Sequence, residues 1–123
     1  MKAKEILEAL SAKPLALNCE ENMEKEYGKA FASDLMSDVL AMVHEPETTV
    51  LITGLCNAQS IRTAEMMDIT LIIFVRGKKP VDQSLDFAED YGINIFSTDY
   101  TMYETCGILF GKGLEGLRGG DPA

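Results

Sequence analysis

The sequence has 123 residues, with 20 acidic and 11 basic side chains and a formal net charge of −9. A surface this acidic repels a phosphate backbone, which excludes nucleic acid as a partner, and no apolar run approaches the length of a membrane span. The charged start, Met1-Lys-Ala-Lys-Glu5, is not a secretory signal, and the three cysteines form no Cys-x-x-Cys pair. We therefore expect reduced thiols and a cytoplasmic location.

The first half of the chain predicts two helices and two strands separated by a polar loop. In order, the expected elements are a helix at 2–10, a strand at 14–17, a surface loop at 18–25, a strand at 27–32 and a helix at 33–43. Ser33 is the expected N-cap of that second helix, and Asp34 in its first turn complements the helix dipole. We expect four apolar side chains of this helix to face inward: Leu35, Val39, Leu40 and Val43.

The second half alternates strand and helix three times. The expected elements are a strand at 48–53, a helix at 57–68, a strand at 69–75, a helix at 81–91, a strand at 93–97 and a helix ending near Phe110. Asp82 is the expected cap of the helix at 81–91, and Gly92 suits the left-handed residue that follows it. Thr98 or Asp99 is expected to cap the last helix, with Phe110 inward. This alternation predicts the α/β class, with a mainly parallel central sheet and helices on both faces.

One domain accounts for most of the chain. The length suits a single domain, and no repeat or internal boundary interrupts residues 1–110. Residues 111–123 are rich in glycine, and we expect them to form a flexible C-terminal tail.

The ends of three expected parallel strands predict a ligand site. Carboxyl ends of parallel strands lie at one edge of a sheet, where open α/β folds usually bind ligands. A turn into a helix also offers free N–H groups to an anion. The basic cluster Arg76-Gly-Lys-Lys79 follows the second of these strands. The expected ligand-binding residues are Thr53, Gly54, Asn57, Arg76, Gly77 and Thr98. The phosphate-loop motif is absent, so a plain turn beside a solvated basic loop is the alternative.

The sequence predicts no catalytic residue and no metal site or cofactor. Cys56 stands at a helix start, a position that favours the thiolate, but a nucleophile also needs a base. The one histidine, His44, is expected at the opposite edge of the sheet. Asp34 and Asp38 share a helix face, yet they lack the further ligands that a metal ion requires.

Four stretches of the chain resemble the DRTGG domain family. They are Ala32-Ser-Asp-Leu-Met-Ser-Asp-Val-Leu-Ala41, Val50-Leu-Ile-Thr-Gly54, Leu71-Ile-Ile-Phe-Val-Arg-Gly77 with Pro80, and Gly92-Ile-Asn-Ile-Phe-Ser-Thr98. The resemblance implies a three-layer α/β/α sandwich, similar to the N-terminal domain of HPr kinase/phosphorylase. It also implies self-association into a homo-oligomer, such as a dimer, and a regulatory role without a settled ligand.

The chain departs from the motif that names the family. The Asp-Arg pair is expected in the turn after residues 50–53, where this sequence reads Leu55-Cys-Asn-Ala-Gln59. The Gly-Gly pair is expected at Arg76-Gly77, where only one glycine matches. Gly54, Gly77 and Thr98 are the positions that carry over from the family.

Two functions follow as expectations. The first is a non-catalytic regulatory or ligand-sensing module that binds a small anionic ligand or a nucleotide at the strand ends. The second is a pure protein–protein interaction domain, a homodimer or an adaptor, with no small-molecule ligand. Because the chain carries no effector domain of its own, either function calls for a partner enzyme or regulator in trans.

Overall fold

The structure of the protein is a computed structural model, which describes residues 1–81 and 83–118. The helices in this part of the chain are α1 (Ala3–Ala9), α2 (Met36–Met42), α3 (Ala58–Met67), α4 (Leu85–Tyr91) and α5 (Met102–Gly111). The strands are β1 (Lys13–Ala16), β2 (Lys29–Ala32), β3 (Thr49–Thr53), β4 (Leu71–Phe74), β5 (Asn94–Ser97) and β6 (Glu115–Gly116). Two short 3-10 turns lie at Glu20–Glu24 and Pro46–Thr48.

The strands form one mainly parallel sheet. Their order is β1-β5-β4-β3-β2-β6, and all neighbouring pairs are parallel except β1 with β5. Every residue of β3, β4 and β5 is buried, as expected of strands that are covered on both faces. The predicted α/β class and mainly parallel sheet are confirmed.

Two hydrophobic cores lie on opposite faces of this sheet. Successive residues of a strand point to opposite faces, so β3 contributes Ile52 to one core and Leu51 to the other. Helices α1 and α5 cover the first core, and α2, α3 and α4 cover the second. The result is the expected three-layer α/β/α sandwich.

Helix α2 begins later than predicted, and the difference matters for the site. Its N-cap is Leu35, and the Ser33 hydroxyl oxygen accepts a hydrogen bond from the Leu35 backbone N at 3.0 Å. Asp34 therefore lies before the helix, not in its first turn. Leu35 is 58% exposed and Leu40 is 50% exposed, so the inward prediction was wrong for both. The buried face is formed instead by Met36, Val39 and Val43.

The last helix also begins later than predicted. Thr101 is the N-cap of α5, and it exchanges hydrogen bonds with Glu104 in a capping box, so neither Thr98 nor Asp99 is the cap. Phe110 is 73% exposed, which contradicts its predicted inward position. Gly92 does adopt the left-handed conformation after α4, with φ of 68°. Asp82, the predicted cap of the preceding helix, lies outside the described residues.

The packed unit continues past residue 110. Leu114 is buried against the first core, and Glu115 and Gly116 pair with Lys29 and Ala30 of β2. The stretch predicted as a tail thus contributes an edge strand to the sheet. Residues 119–123 lie outside the described residues. Within the described ranges, no helix combines the length and the apolar character needed to cross a membrane.

We expect Leu114→Ala to lower the free energy of unfolding by about 2–4 kcal/mol, because it leaves a cavity beneath β6. Phe110→Ala is the matched control: it lies in the same segment, is exposed, and should change stability by less than about 0.5 kcal/mol. Urea unfolding followed by circular dichroism measures both. Equally small effects would mean that residues 111–116 do not pack as described.

Candidate functional site

The ends of β3, β4 and β5 lie side by side at one edge of the sheet. Thr53 pairs with Phe74, and Phe74 pairs with Ser97, so Gly54, Val75 and Thr98 follow in register. The loops after these strands contact one another directly. The Gly77 N–H donates to the Thr98 carbonyl at 2.8 Å, and the Lys78 ammonium donates to the Gly54 carbonyl at 3.1 Å. We call this edge the strand-end site.

A tight turn places the Arg76 side chain at this site. The Lys78 N–H donates to the Val75 carbonyl at 3.2 Å, and Arg76 and Gly77 have φ of 61° and 65°. Two consecutive positive φ values define a type I′ turn, which glycine adopts without strain. Arginine at such a position costs about 1–2 kcal/mol. Its backbone N–H donates to the Tyr100 carbonyl at 2.8 Å, which holds the turn in place.

Asp34 belongs to the site, although it is not among the ligand-binding residues predicted from the sequence. Its Oδ1 accepts hydrogen bonds from the Gly54 backbone N at 2.6 Å and from the Thr53 hydroxyl at 3.2 Å. The Ser33 N–H donates to the Ile52 carbonyl at 3.0 Å, which continues the pairing of β2 with β3 as far as this residue. The signal that could have revealed Asp34 is its position directly after β2. Because β2 runs parallel to β3, the residues that follow β2 lie at the same edge of the sheet as the residues that follow β3.

Opposite charges face each other across Gly54. A Cβ atom added to Gly54 would lie 3.3 and 3.5 Å from the two carboxylate oxygens of Asp34 and 3.6 Å from Nη2 of Arg76. In the described part of the chain, no ion pair within 4.0 Å joins these two side chains. The carboxylate and the guanidinium therefore both border the position that a Cβ atom at residue 54 would take, and we call this position the space above Gly54.

Three of the predicted ligand-binding side chains have partners within the protein. The Thr98 hydroxyl is buried and donates to the Leu10 carbonyl at 2.7 Å, so it faces α1 and not the open edge. The buried Thr53 hydroxyl donates to Asp34 and accepts from the Leu55 N–H at 3.0 Å. Asn57 caps α3, because its Oδ1 accepts from the Gln59 N–H at 2.9 Å. The exposed charged side chains at this edge include those of Arg76, Lys78, Lys79, Asp34 and Asp99. Oδ1 of Asp99 lies 3.0 Å from the Cβ position of Gly77.

The described residues include no group of three or more side chains suited to holding a metal ion. Burial raises the pKa of the Cys106 thiol, which disfavours the nucleophilic thiolate. His44 follows α2 and precedes β3, so it lies at the opposite edge of the sheet from Cys56.

The fold resembles a solved regulatory region. No protein-family model matches the sequence, and no relative was found among curated proteins. The crystal structure of the CBS and DRTGG domains of the regulatory region of Clostridium perfringens pyrophosphatase, complexed with the activator diadenosine tetraphosphate, matches with a TM-score of 0.70 and 20% sequence identity. The match covers 85% of this chain and 44% of that chain, so this chain spans less than half of the matched structure. The similarity shows the fold, while membership of the DRTGG family stays a prediction.

We expect Arg76→Gly to leave the free energy of unfolding unchanged or to raise it by up to about 1 kcal/mol. Glycine removes the cost of the positive φ, and the greater freedom of the unfolded chain offsets part of that gain. The control is Arg62→Gly in the interior of α3, which should lose about 1 kcal/mol or more. Urea unfolding of the two variants gives the comparison. A loss at residue 76 as large as that at residue 62 would contradict the strained turn.

Proposed function

We propose that this protein is a non-catalytic regulatory module that senses a small anionic ligand, such as a nucleotide, at the strand-end site. The observation that carries the proposal is the pair of cations, Arg76 and Lys78, at the edge where three parallel strands end. Open α/β sheets usually bind their ligands at this position. Gly54 and Gly77 form the turns there, and the Thr98 carbonyl accepts a hydrogen bond from the Gly77 N–H.

The charges of the molecule favour a local anion site. With a net charge of −9, most of the surface repels anions, so an anion needs an exposed local cation. Among the described residues, no hydrogen bond or ion pair engages the Arg76 guanidinium, whose planar donors suit phosphate and carboxylate groups. Lys78 uses one donor on the Gly54 carbonyl and has further donors to offer.

The structural neighbour supports a regulatory role. Its domains come from the regulatory region of an enzyme, and its crystal structure contains a nucleotide activator. By analogy, we propose that this chain acts in the cytoplasm on a partner enzyme or regulator in trans. The separation of His44 from Cys56 supports a role without catalysis.

A thermal-shift screen of nucleotides, phosphorylated metabolites and acyl metabolites tests this function. A ligand at ten times its Kd should stabilise the protein by about 1.4 kcal/mol, which raises the Tm by several degrees. Arg76→Ala should abolish that shift. Lys112→Ala removes the same charge at the end of α5, beside Met1 at the opposite edge, and should preserve it. The proposal fails if no compound shifts the wild-type Tm or if both variants respond like the wild type.

The second candidate function is self-association without a ligand, and an apolar groove favours it. The groove has a volume of about 460 Å³ and lies between α5 and the edge formed by β2 and β6. Two large side chains on its rim are exposed, Tyr103 at 88% and Phe110 at 73%. β6 pairs with only two residues of β2, so no strand among the described residues pairs with the outer edge of β2 beyond Ala30. A second copy of the chain could cover this edge and the groove.

Light scattering coupled to size exclusion tests the second function. If the groove joins two copies, the wild type is a dimer at concentrations on the order of tens of micromolar, and Phe110→Glu is a monomer. Arg76→Ala is the control, because the strand-end site lies outside the groove and its loss should leave the dimer intact. A monomeric wild type would exclude this homodimer.

A further inference from the structure

We infer that the ligand of the strand-end site carries a hydrogen-bond donor beside its anionic group, and that Asp34 selects for that donor. The chemical class is a phosphorylated compound with hydroxyl or amino groups near the phosphate, a class that includes nucleotides and sugar phosphates. The inference rests on the proposed ligand-sensing function and adds a specificity-determining residue to it.

Only one of the two oxygens of the Asp34 carboxylate accepts hydrogen bonds from the described residues. Its Oδ1 accepts from the Gly54 N–H at 2.6 Å and from the Thr53 hydroxyl at 3.2 Å. Its Oδ2 accepts no hydrogen bond from the described residues, although a carboxylate can accept about four. The side chain is exposed, so Oδ2 presents a preorganised acceptor to anything that enters the space above Gly54.

The hydrogen bond from the Gly54 N–H to Asp34 occupies a backbone donor that could otherwise bind an anion. An oxyanion at a strand-to-helix turn is normally held by backbone N–H groups. Here the Gly54 N–H is occupied by Asp34, and the Gln59 N–H is occupied by Asn57. A bare anion placed at the turn would also meet the negative charge of the Asp34 carboxylate. The turn therefore disfavours an oxyanion and favours a donor.

Two cations also lie close to Gly54. Nη2 of Arg76 lies 3.6 Å from the Cβ position of Gly54, and Oδ2 of Asp34 lies 3.5 Å from it. The Lys78 ammonium reaches the Gly54 carbonyl from the adjacent loop. A ligand that fits this arrangement donates to Asp34 with one group and accepts from Arg76 and Lys78 with its phosphate. A ligand with the phosphate alone leaves the carboxylate unsatisfied beside it.

Isothermal titration of three phosphate monoesters tests the assignment. AMP and ribose 5-phosphate carry donors, whereas methyl phosphate has the same phosphate group without them. We expect the wild type to bind AMP or ribose 5-phosphate at least about tenfold more tightly than methyl phosphate, since a hydrogen bond to a charged group is worth about that factor. In Asp34→Asn this ratio should fall by about tenfold, while the affinity for methyl phosphate stays constant or rises.

The control variant is Asp38→Asn, which removes the same charge from the exposed face of α2 one turn away. It should keep the wild-type ratio. The inference is overturned if Asp34→Asn leaves the ratio unchanged, or if it weakens all three ligands equally, as a purely structural role would. If the wild type binds none of the three esters, the inference about this class of phosphate monoester fails, and the thermal-shift screen then decides separately whether the strand-end site binds another anion. These outcomes distinguish an error in the role assigned to Asp34 from an error in the proposed ligand-binding function.

Discussion

The site depends on one constraint, the parallel pairing of three strands that are buried on both faces. β3, β4 and β5 have no exposed residue, and the helices α3 and α4 connect them as crossovers, so neighbouring strands run in the same direction. Once the strands run the same way, their carboxyl ends must meet at one edge. The sequence separation between Gly54, Arg76 and Thr98 then has no influence on how close they lie. Every later contact, from the Gly77 N–H to the Lys78 ammonium, builds on that alignment.

Arg76 illustrates a balance between stability and function. A glycine would adopt the positive φ of Arg76 freely. Arginine is strained by this backbone conformation, but it places a guanidinium beside the turn at Gly54. Residues held in unfavourable backbone conformations often lie at functional sites, where surrounding contacts hold them. Here those contacts are the hydrogen bonds that the backbone of Arg76 and Gly77 donates to the loop after β5.

The parts of the fold that local pattern controls could be predicted from the sequence. Continuous apolar runs indicated the buried strands, and Gly92 marked the end of α4, because each signal depends on neighbours in sequence. The role of Asp34 depends instead on which strand lies beside β3, a tertiary fact that local pattern does not carry. The outward positions of Leu35 and Leu40 also depend on tertiary structure. The late start of α2 determines which of its residues lie on the buried face. The capping box from Thr101 to Glu104 is, by contrast, a local pattern, and it marks the start of α5.

The two-residue strand β6 has a consequence for how the protein is made. During synthesis the chain leaves the ribosome from its amino end, and domains begin to fold as they emerge. β2 and β3 are synthesised before Glu115 and Gly116. Throughout that interval the unpaired edge of β2 faces the crowded cell, where it can recruit another nascent strand. The edge of β2 is therefore covered late in synthesis, and, among the described residues, only the two residues of β6 cover it.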